Sequence, residues 1–262
     1  MTPSTAPRGS RRQVLKTMAS AAVLQSALPR RASAAPQLPL KLVILDVGGT
    51  IVEERGDVPE ALGSAFSKHG LTVTPAEINE WRGASKREIV RHFVQLRMKL
   101  AEDERKKVIE SIYADFSSSI ISSYKTVKPI AGAEEAFRTM RQQGLLLATS
   151  TGFDRPITAS IMQRLGWEHY FAAMITSDDV IQGRPSPYML FHAMEAARID
   201  STTQVIAVGD TPLDLQAGNN AGFRGVIGVL SGVGNVKTMT PEPHTDLVQS
   251  VAELPALLRS KY

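Results

Sequence analysis

From residue 40 onward, short apolar runs rich in β-branched residues alternate with stretches whose apolar positions recur at helical spacing. That alternation predicts an α/β fold with a Rossmann-like parallel sheet. Runs at 42–46, 145–149, 172–176, 204–208 and 225–229 are the expected strands. Residues 57–129 carry almost no strand pattern. In that stretch Thr74-Pro75-Ala76-Glu77 has the form of a capping box with proline at the first helical position. Ser85 stands where it can cap a helix through "KREIVRHFVQLRMKL", and a longer helix is expected at roughly 102–124. Residues 57–129 therefore read as a small α-helical cap inserted after the first strand, with 40–56 and 130–262 forming the core. Within that core, "AGAEEAFRTMRQQG" reads as a helix closed by Gly144, which can adopt the left-handed conformation of a C-cap.

The strand ends carry the chemistry, because open α/β sheets bind ligands at their carboxyl edges. The first strand delivers Asp46 onto "DVGGT", the second ends in Ser150 and Thr151, the third runs into "GRPSP" with Arg184, and the fourth gives Asp210 with Asp214 four residues on. Any one of these has a plain structural reading: a turn residue, a helix cap or a surface cation. Together they offer hard oxygen ligands, a cation and hydroxyl donors, the components of a magnesium-dependent phosphoryl-transfer site. Helices after Asp46 and Asp210 are expected to aim their N-termini at a dianion.

Charge changes the picture at the N-terminus. The net charge is +4, but residues 1–34 hold six basic residues and no acid, which leaves 24 basic against 26 acidic residues in the remainder. The body is slightly acidic, so a nucleic-acid partner is not expected. Residues 1–34 have the organisation of an export signal: a basic start, an apolar stretch from Met18 to Leu28 too short to span a bilayer, and the small-residue site Ala32-Ser33-Ala34. "SRRQVLK" resembles the twin-arginine signal, which implies export of the folded protein through the twin-arginine translocase to the periplasm. The plainer reading is a disordered basic N-terminus. No membrane-length apolar segment follows, so no stable membrane anchor is expected. The chain has no cysteine, which removes disulfide and thiolate chemistry. The oligomeric state is left open, a homodimer included.

In order and spacing, "DVGGT", "TSTG", "GRPSP" and "VGDTPLD" resemble the four motifs of the haloacid dehalogenase superfamily of phosphohydrolases. The resemblance implies that Asp46 is a nucleophile forming an aspartyl-phosphate. It also implies that Asp46, Asp210 and the carbonyl of Gly48 bind Mg²⁺ with Asp214 supporting them, and that Ser150, Thr151 and Arg184 hold the phosphoryl oxygens. The substrate would be a small phosphorylated or phosphonate compound.

Gly48 departs from most of that superfamily, whose phosphatases carry a second aspartate there to protonate the leaving alcohol. The phosphonatase branch has a small residue instead and uses a cap lysine to convert an aldehyde into a Schiff base before the carbon–phosphorus bond is cut. "TGFDR", "DDVIQGRPSPYM" and "VGDTPLDLQAGNNAG" resemble that branch, and "RGASK" matches its cap loop, nominating Lys86. A helix start at Ser85 and the adjacent Arg82 and Arg87 would favour the neutral amine that a Schiff base needs. The plainer reading of Lys86 is a solvated lysine at a helix start. The branch also carries a histidine three residues after the lysine, where this chain has Ile89; His92 is the nearest imidazole. A phosphomonoesterase of phosphoglycolate-phosphatase type, with its acid borrowed from the cap or the substrate, and a non-catalytic phosphate-binding protein stay open beside the phosphonatase reading.

Overall fold

Residues Leu42–Leu45 form a four-residue strand, β1, buried on both faces, as expected of the middle of a parallel sheet. β1 pairs in parallel with β2 (Leu146–Ser150) on one side and β4 (Val205–Gly209) on the other. With β3 (Ala173–Ile175), β5 (Gly225–Val229) and β6 (Asp246–Val248) the sheet has the order β3-β2-β1-β4-β5-β6. The chain first winds outward from β1 to β3 and then returns to the far side of β1, so the order reverses between β1 and β4. The carboxyl ends of those two strands flank the crevice where doubly wound sheets take ligands. This is a computed structural model, and it describes residues 39–262. The export signal read at 1–34, with "SRRQVLK" and Ala32-Ser33-Ala34, lies outside the described residues. Among them no helix is long and apolar enough to cross a membrane.

Four helices lie between β1 and β2, ahead of the core helix α5 (Ala133–Gln142): α1 (Asp57–Lys68), α2 (Pro75–Asn79), α3 (Lys86–Arg97) and α4 (Glu102–Ser123). Their packing follows from their apolar stripes. In α1 the buried residues are Val58, Ala61, Leu62, Ala65 and Phe66, the spacing of one helical face. In α3 they are Ile89, Val90, Phe93 and Val94, and Phe66 meets Phe93 edge to face at 5.6 Å. The capping box at Thr74 forms as expected: its hydroxyl accepts from Glu77 N while Glu77 Oε2 accepts from Thr74 N. Ser85 is the N-cap of α3, but its side chain makes no capping hydrogen bond.

Beyond β2 come α6 (Arg155–Leu165), α7 (Tyr188–Ala196), α8 (Pro212–Asn220), α9 (Val236–Met239) and α10 (Leu254–Lys261). Two sequence expectations differ from the structure. The short strand β6 was not among the expected five. No helix follows Asp46 directly: Gly49 N donates to Val52 O and Val52 N to Val47 O, closing a tight turn, and the first helix starts only at Asp57. Asp210 does lead into a helix, α8.

Candidate active site

Asp46, Asp210, Asp214 and Arg184 meet at the carboxyl ends of β1 and β4, and all four are nearly inaccessible. Arg184 Nη2 donates to Asp46 Oδ1 at 2.7 Å and also to the Ser150 carbonyl, while its Nη1 pairs with Asp214 Oδ1 at 2.7 Å. Burial opposes the guanidinium charge, but the carboxylates of Asp214 and Asp46 outweigh it and raise the Arg184 pKa. Asp214 Oδ2 accepts from Thr211 N at 3.0 Å and Thr211 Oγ1 at 2.6 Å, which fixes it in the first turn of α8. Its pKa is pushed up to about 6, by burial first and the Asp46 charge as well, against the pull of Arg184.

Asp210 has a different environment. Its Oδ2 accepts from Val233 N at 2.8 Å, whereas its Oδ1 is buried without a hydrogen-bond partner. Burial and the charges of Asp46 and Asp214 push the Asp210 pKa well up. One oxygen from each of the three aspartates lies within 4.8 Å of the others. An orphaned carboxylate oxygen among like charges fits a divalent cation with a taste for hard oxygen donors.

A cavity of about 40 Å³, room for roughly three waters, opens in front of this cluster and is lined by Asp46, Gly48, Lys86, Thr151, Arg184 and Asp210 among others. Ser150 is not on this lining. It faces a void of about 10 Å³ behind the cluster, together with Arg184 and Asp214. The sequence groups Ser150 with Thr151; of the two, Thr151, the first residue past β2, is on the lining of the front cavity. Arg184 likewise ties Asp46 and Asp214 together as well as facing the cavity.

Lys86 enters from the cap side and is 9% exposed, which excludes the solvated reading. The reason is its phase: three and four residues before Ile89 and Val90, it falls on the apolar stripe of α3. Its Nζ donates to Ala84 O at 3.1 Å and sits 4.9 Å from the Phe153 ring centroid. Burial first, then the charges of Arg184 and Arg82, pull its pKa down to about 8 against Asp46 and Glu54. Arg87, expected to share in this, does not. It lies 3.9 Å over the Tyr113 ring and pairs with Glu110 at 2.7 Å, because adjacent helix residues face different directions. His92 stacks on Trp81 at 4.3 Å between ring centroids.

The loop carrying Lys86 lies directly on the core. Lys86 N donates to Gly152 O at 3.2 Å, and a Cβ at Gly152 would stand 2.6 Å from Ala84 O. Gly83, with φ of 88°, would collide with Thr211 if it carried a side chain. Gly48 is under no such constraint: its backbone is outside the left-handed region and a Cβ would meet only the Phe153 ring, at 3.6 Å. Glu54 and Val233 line the cavity without having been anticipated, and Arg82 and Phe153, which fall in the quoted "RGASK" and "TGFDR", line it as well. The glycine-rich "LSGVG" at the end of β5 is a signal that would have found Val233. Glu54 lies in a charged segment with no pattern to mark it. Glu88, whose Oε1 accepts from Gly183 N at 3.0 Å, joins α3 to the Arg184 loop.

Residues 43–228 match the model of the haloacid dehalogenase-like hydrolase family. The chain belongs to that family. It is 31% identical over 208 residues to the phosphonoacetaldehyde hydrolase of Bacillus cereus, across 74% of this chain and 76% of that one. Among solved structures, a phosphonoacetaldehyde hydrolase-like protein from Oleispira antarctica superposes with a TM-score of 0.74 at 21% identity, covering 86% of this chain and 93% of that one. A predicted phosphoglycolate phosphatase from Haemophilus somnus gives a TM-score of 0.69 at 20% identity, with 83% and 97% covered. The two structures establish the α/β fold of this haloacid dehalogenase-like hydrolase.

Proposed function

We propose that this haloacid dehalogenase-like hydrolase cleaves the carbon–phosphorus bond of a small phosphonate bearing a carbonyl group. The observation that carries the reading is a desolvated Lys86 opening on the same cavity as Asp46, opposite a Gly48 that leaves the position of the usual acid vacant. The activity of the Bacillus cereus relative supports the substrate class. The neutral Lys86 amine adds to the carbonyl and, with uptake of one proton from solvent, water leaves, giving an iminium. An Asp46 oxygen attacks phosphorus, and the pair from the carbon–phosphorus bond moves into an enamine, so no alkoxide needs a proton from position 48. Protonation of the enamine carbon and two hydrolyses, of the imine and of the aspartyl-phosphate, return Lys86 and Asp46. Thr151 and Arg184 bind and orient the phosphoryl oxygens, and residues 57–129 act as the cap that shuts water out. Asp46, Asp210 and the Gly48 carbonyl would hold Mg²⁺, with Asp214 behind them; the ion supplies positive charge against the dianion.

Borohydride added with phosphonoacetaldehyde is expected to leave a reduced adduct on Lys86, and Lys86→Arg is expected to lose phosphonate cleavage. Peptide mass spectrometry locates the adduct. Absence of an adduct together with an active Lys86→Arg enzyme would favour the second reading, a phosphomonoesterase. One observation supports that alternative: Glu54 lines the cavity and could stand in as the missing acid.

We also propose export by the twin-arginine route on the strength of "SRRQVLK". Replacing Arg11 and Arg12 together with Lys should keep the folded protein in the cytoplasm, and normal arrival in the periplasm would overturn the assignment.

A further inference from the structure

Of the residues lining the cavity, two carry a buried side-chain atom without a hydrogen-bond partner: Asp210 Oδ1, accounted for above, and Arg82 Nη1. Arg82 is held in place, since its Nε donates to Asn79 Oδ1 at 2.9 Å. Its charge is balanced, since Nη1 lies 3.0 Å from Glu54 Oε1. That contact is an ion pair without hydrogen-bond geometry, and the same Oε1 accepts from Gly56 N at 2.9 Å. The guanidinium therefore keeps unused donors next to Lys86, whose pKa it helps to lower. Arg82 also borders a second cavity of about 360 Å³, lined by Asn79, Thr211, Pro212 and Thr238 among others, so a substrate group reaching it has room beyond the small inner chamber.

We propose that Arg82 reads a carboxylate on the substrate, so that the preferred substrate class is a phosphonate 2-oxo acid, with the carboxylate on the carbon that Lys86 attacks. This rests on the Schiff-base reading of Lys86. An aldehyde hydrogen gives Nη1 nothing to bond, whereas a carboxylate brings two acceptors to a group that can only donate. The covalent steps are unchanged: water leaves as the iminium forms, the carbon–phosphorus pair becomes the enamine and then a C–H bond, and the organic product is a 2-oxo acid. Glu54 must yield part of its pairing to the incoming carboxylate, which keeps the expected selectivity moderate.

The test compares 3-phosphono-2-oxopropanoate with phosphonoacetaldehyde in the presence of Mg²⁺. The wild-type protein is expected to favour the oxo acid in kcat/KM by at least about tenfold. Arg82→Met should bring that ratio to about one or below and Arg82→Lys to a value between, while thermal unfolding reports whether each variant is folded. A wild-type preference for the aldehyde, or a ratio unmoved in folded Arg82→Met, overturns the proposal; the wild-type ratio decides alone if the variants do not fold. If neither phosphonate is cleaved and borohydride leaves Lys86 unmodified, the Schiff-base reading fails by itself. The role of Arg82 is then decided by the same carboxylate-to-aldehyde ratio for phosphoglycolate against glycolaldehyde phosphate. A chain inert to all four compounds overturns both.

Discussion

At the strand ends, Arg184 answers two carboxylates and a carbonyl, Thr211 and Val233 hold two aspartates, and Asp210 Oδ1 is the one fully buried side-chain atom of these groups without a hydrogen-bond partner. Across the cavity the cap presents sparse bonding: Lys86 with a single carbonyl and an aromatic face, and Arg82 with spare donors. The first region is a mostly paired cluster of charges that, on the proposed function, takes a phosphorus dianion and a cation whatever the rest of the substrate is. The second leaves donors that the proposed substrate would complete. On the proposed function, phosphoryl chemistry belongs to the sheet edge and the choice of substrate to the inserted helices.

The largest effect should come from the sheet edge. Asp46→Asn keeps an acceptor for Arg184 Nη2, so the buried guanidinium is not stranded and the fold should survive, yet the carboxylate proposed as nucleophile is gone. Hydrolysis of every substrate is expected to fall by on the order of 10⁴ or more, comparable with removal of a nucleophile elsewhere. Activity assays beside a thermal melt check it. Retained turnover in a folded Asp46→Asn protein would show that the two regions do not divide the chemistry in this way.

A change at Gly48 should blur the division. The glycine backbone is ordinary and a Cβ there meets only the Phe153 ring at 3.6 Å, so an aspartate can be accommodated. Gly48→Asp supplies at the sheet edge the acid that the lysine route does not need. Turnover of simple phosphate esters is expected to rise about 10²-fold, the lower end for a positioned acid. An unchanged ester rate in a folded variant would mean that leaving-group protonation is not what limits the wild-type chain.

The two regions also differ in how far the sequence discloses them. Asp46 and Asp210 are legible because each ends a buried apolar run, and Arg184 and Asp214 because they stand beside those runs in motif order. Lys86 is legible as chemistry from "RGASK" and as a buried residue from its phase with Ile89 and Val90. Arg82 and Glu54 come together from a cap loop and a linker across a distance in sequence that no local pattern encodes. Ser150 opens on the void behind the cluster and not on the cavity, and Arg87 turns away from Lys86 because adjacent helix residues face different directions. Strand β6 has three residues and opens on Asp246, leaving only Leu247 and Val248 as an apolar signal.

The smallest predicted effect is the most specific to the cap. Burial holds the Lys86 pKa down to about 8, against an ordinary 10.5. Only the neutral amine adds to a carbonyl, so borohydride trapping by an aldehyde, measured without added metal, should rise with pH and be half-maximal near 8. Between pH 7 and pH 9 the trapping rate should increase about tenfold, the change in neutral fraction for a pKa of about 8. The same shift has a consequence for stability with the opposite sign from that of a stabilised cation. Between about 8 and 10.5 the unfolded chain binds the proton that the folded chain has lost, so the contribution of Lys86 to stability increases as pH rises through that window. Thermal melts of wild type and Lys86→Met from pH 7 to pH 10 should therefore converge in slope below about 8 and separate above it. A trapping midpoint near 10.5 would mean that Lys86 is solvated when it reacts, and the unsatisfied character of the cap would then belong to a conformation that opens before chemistry begins.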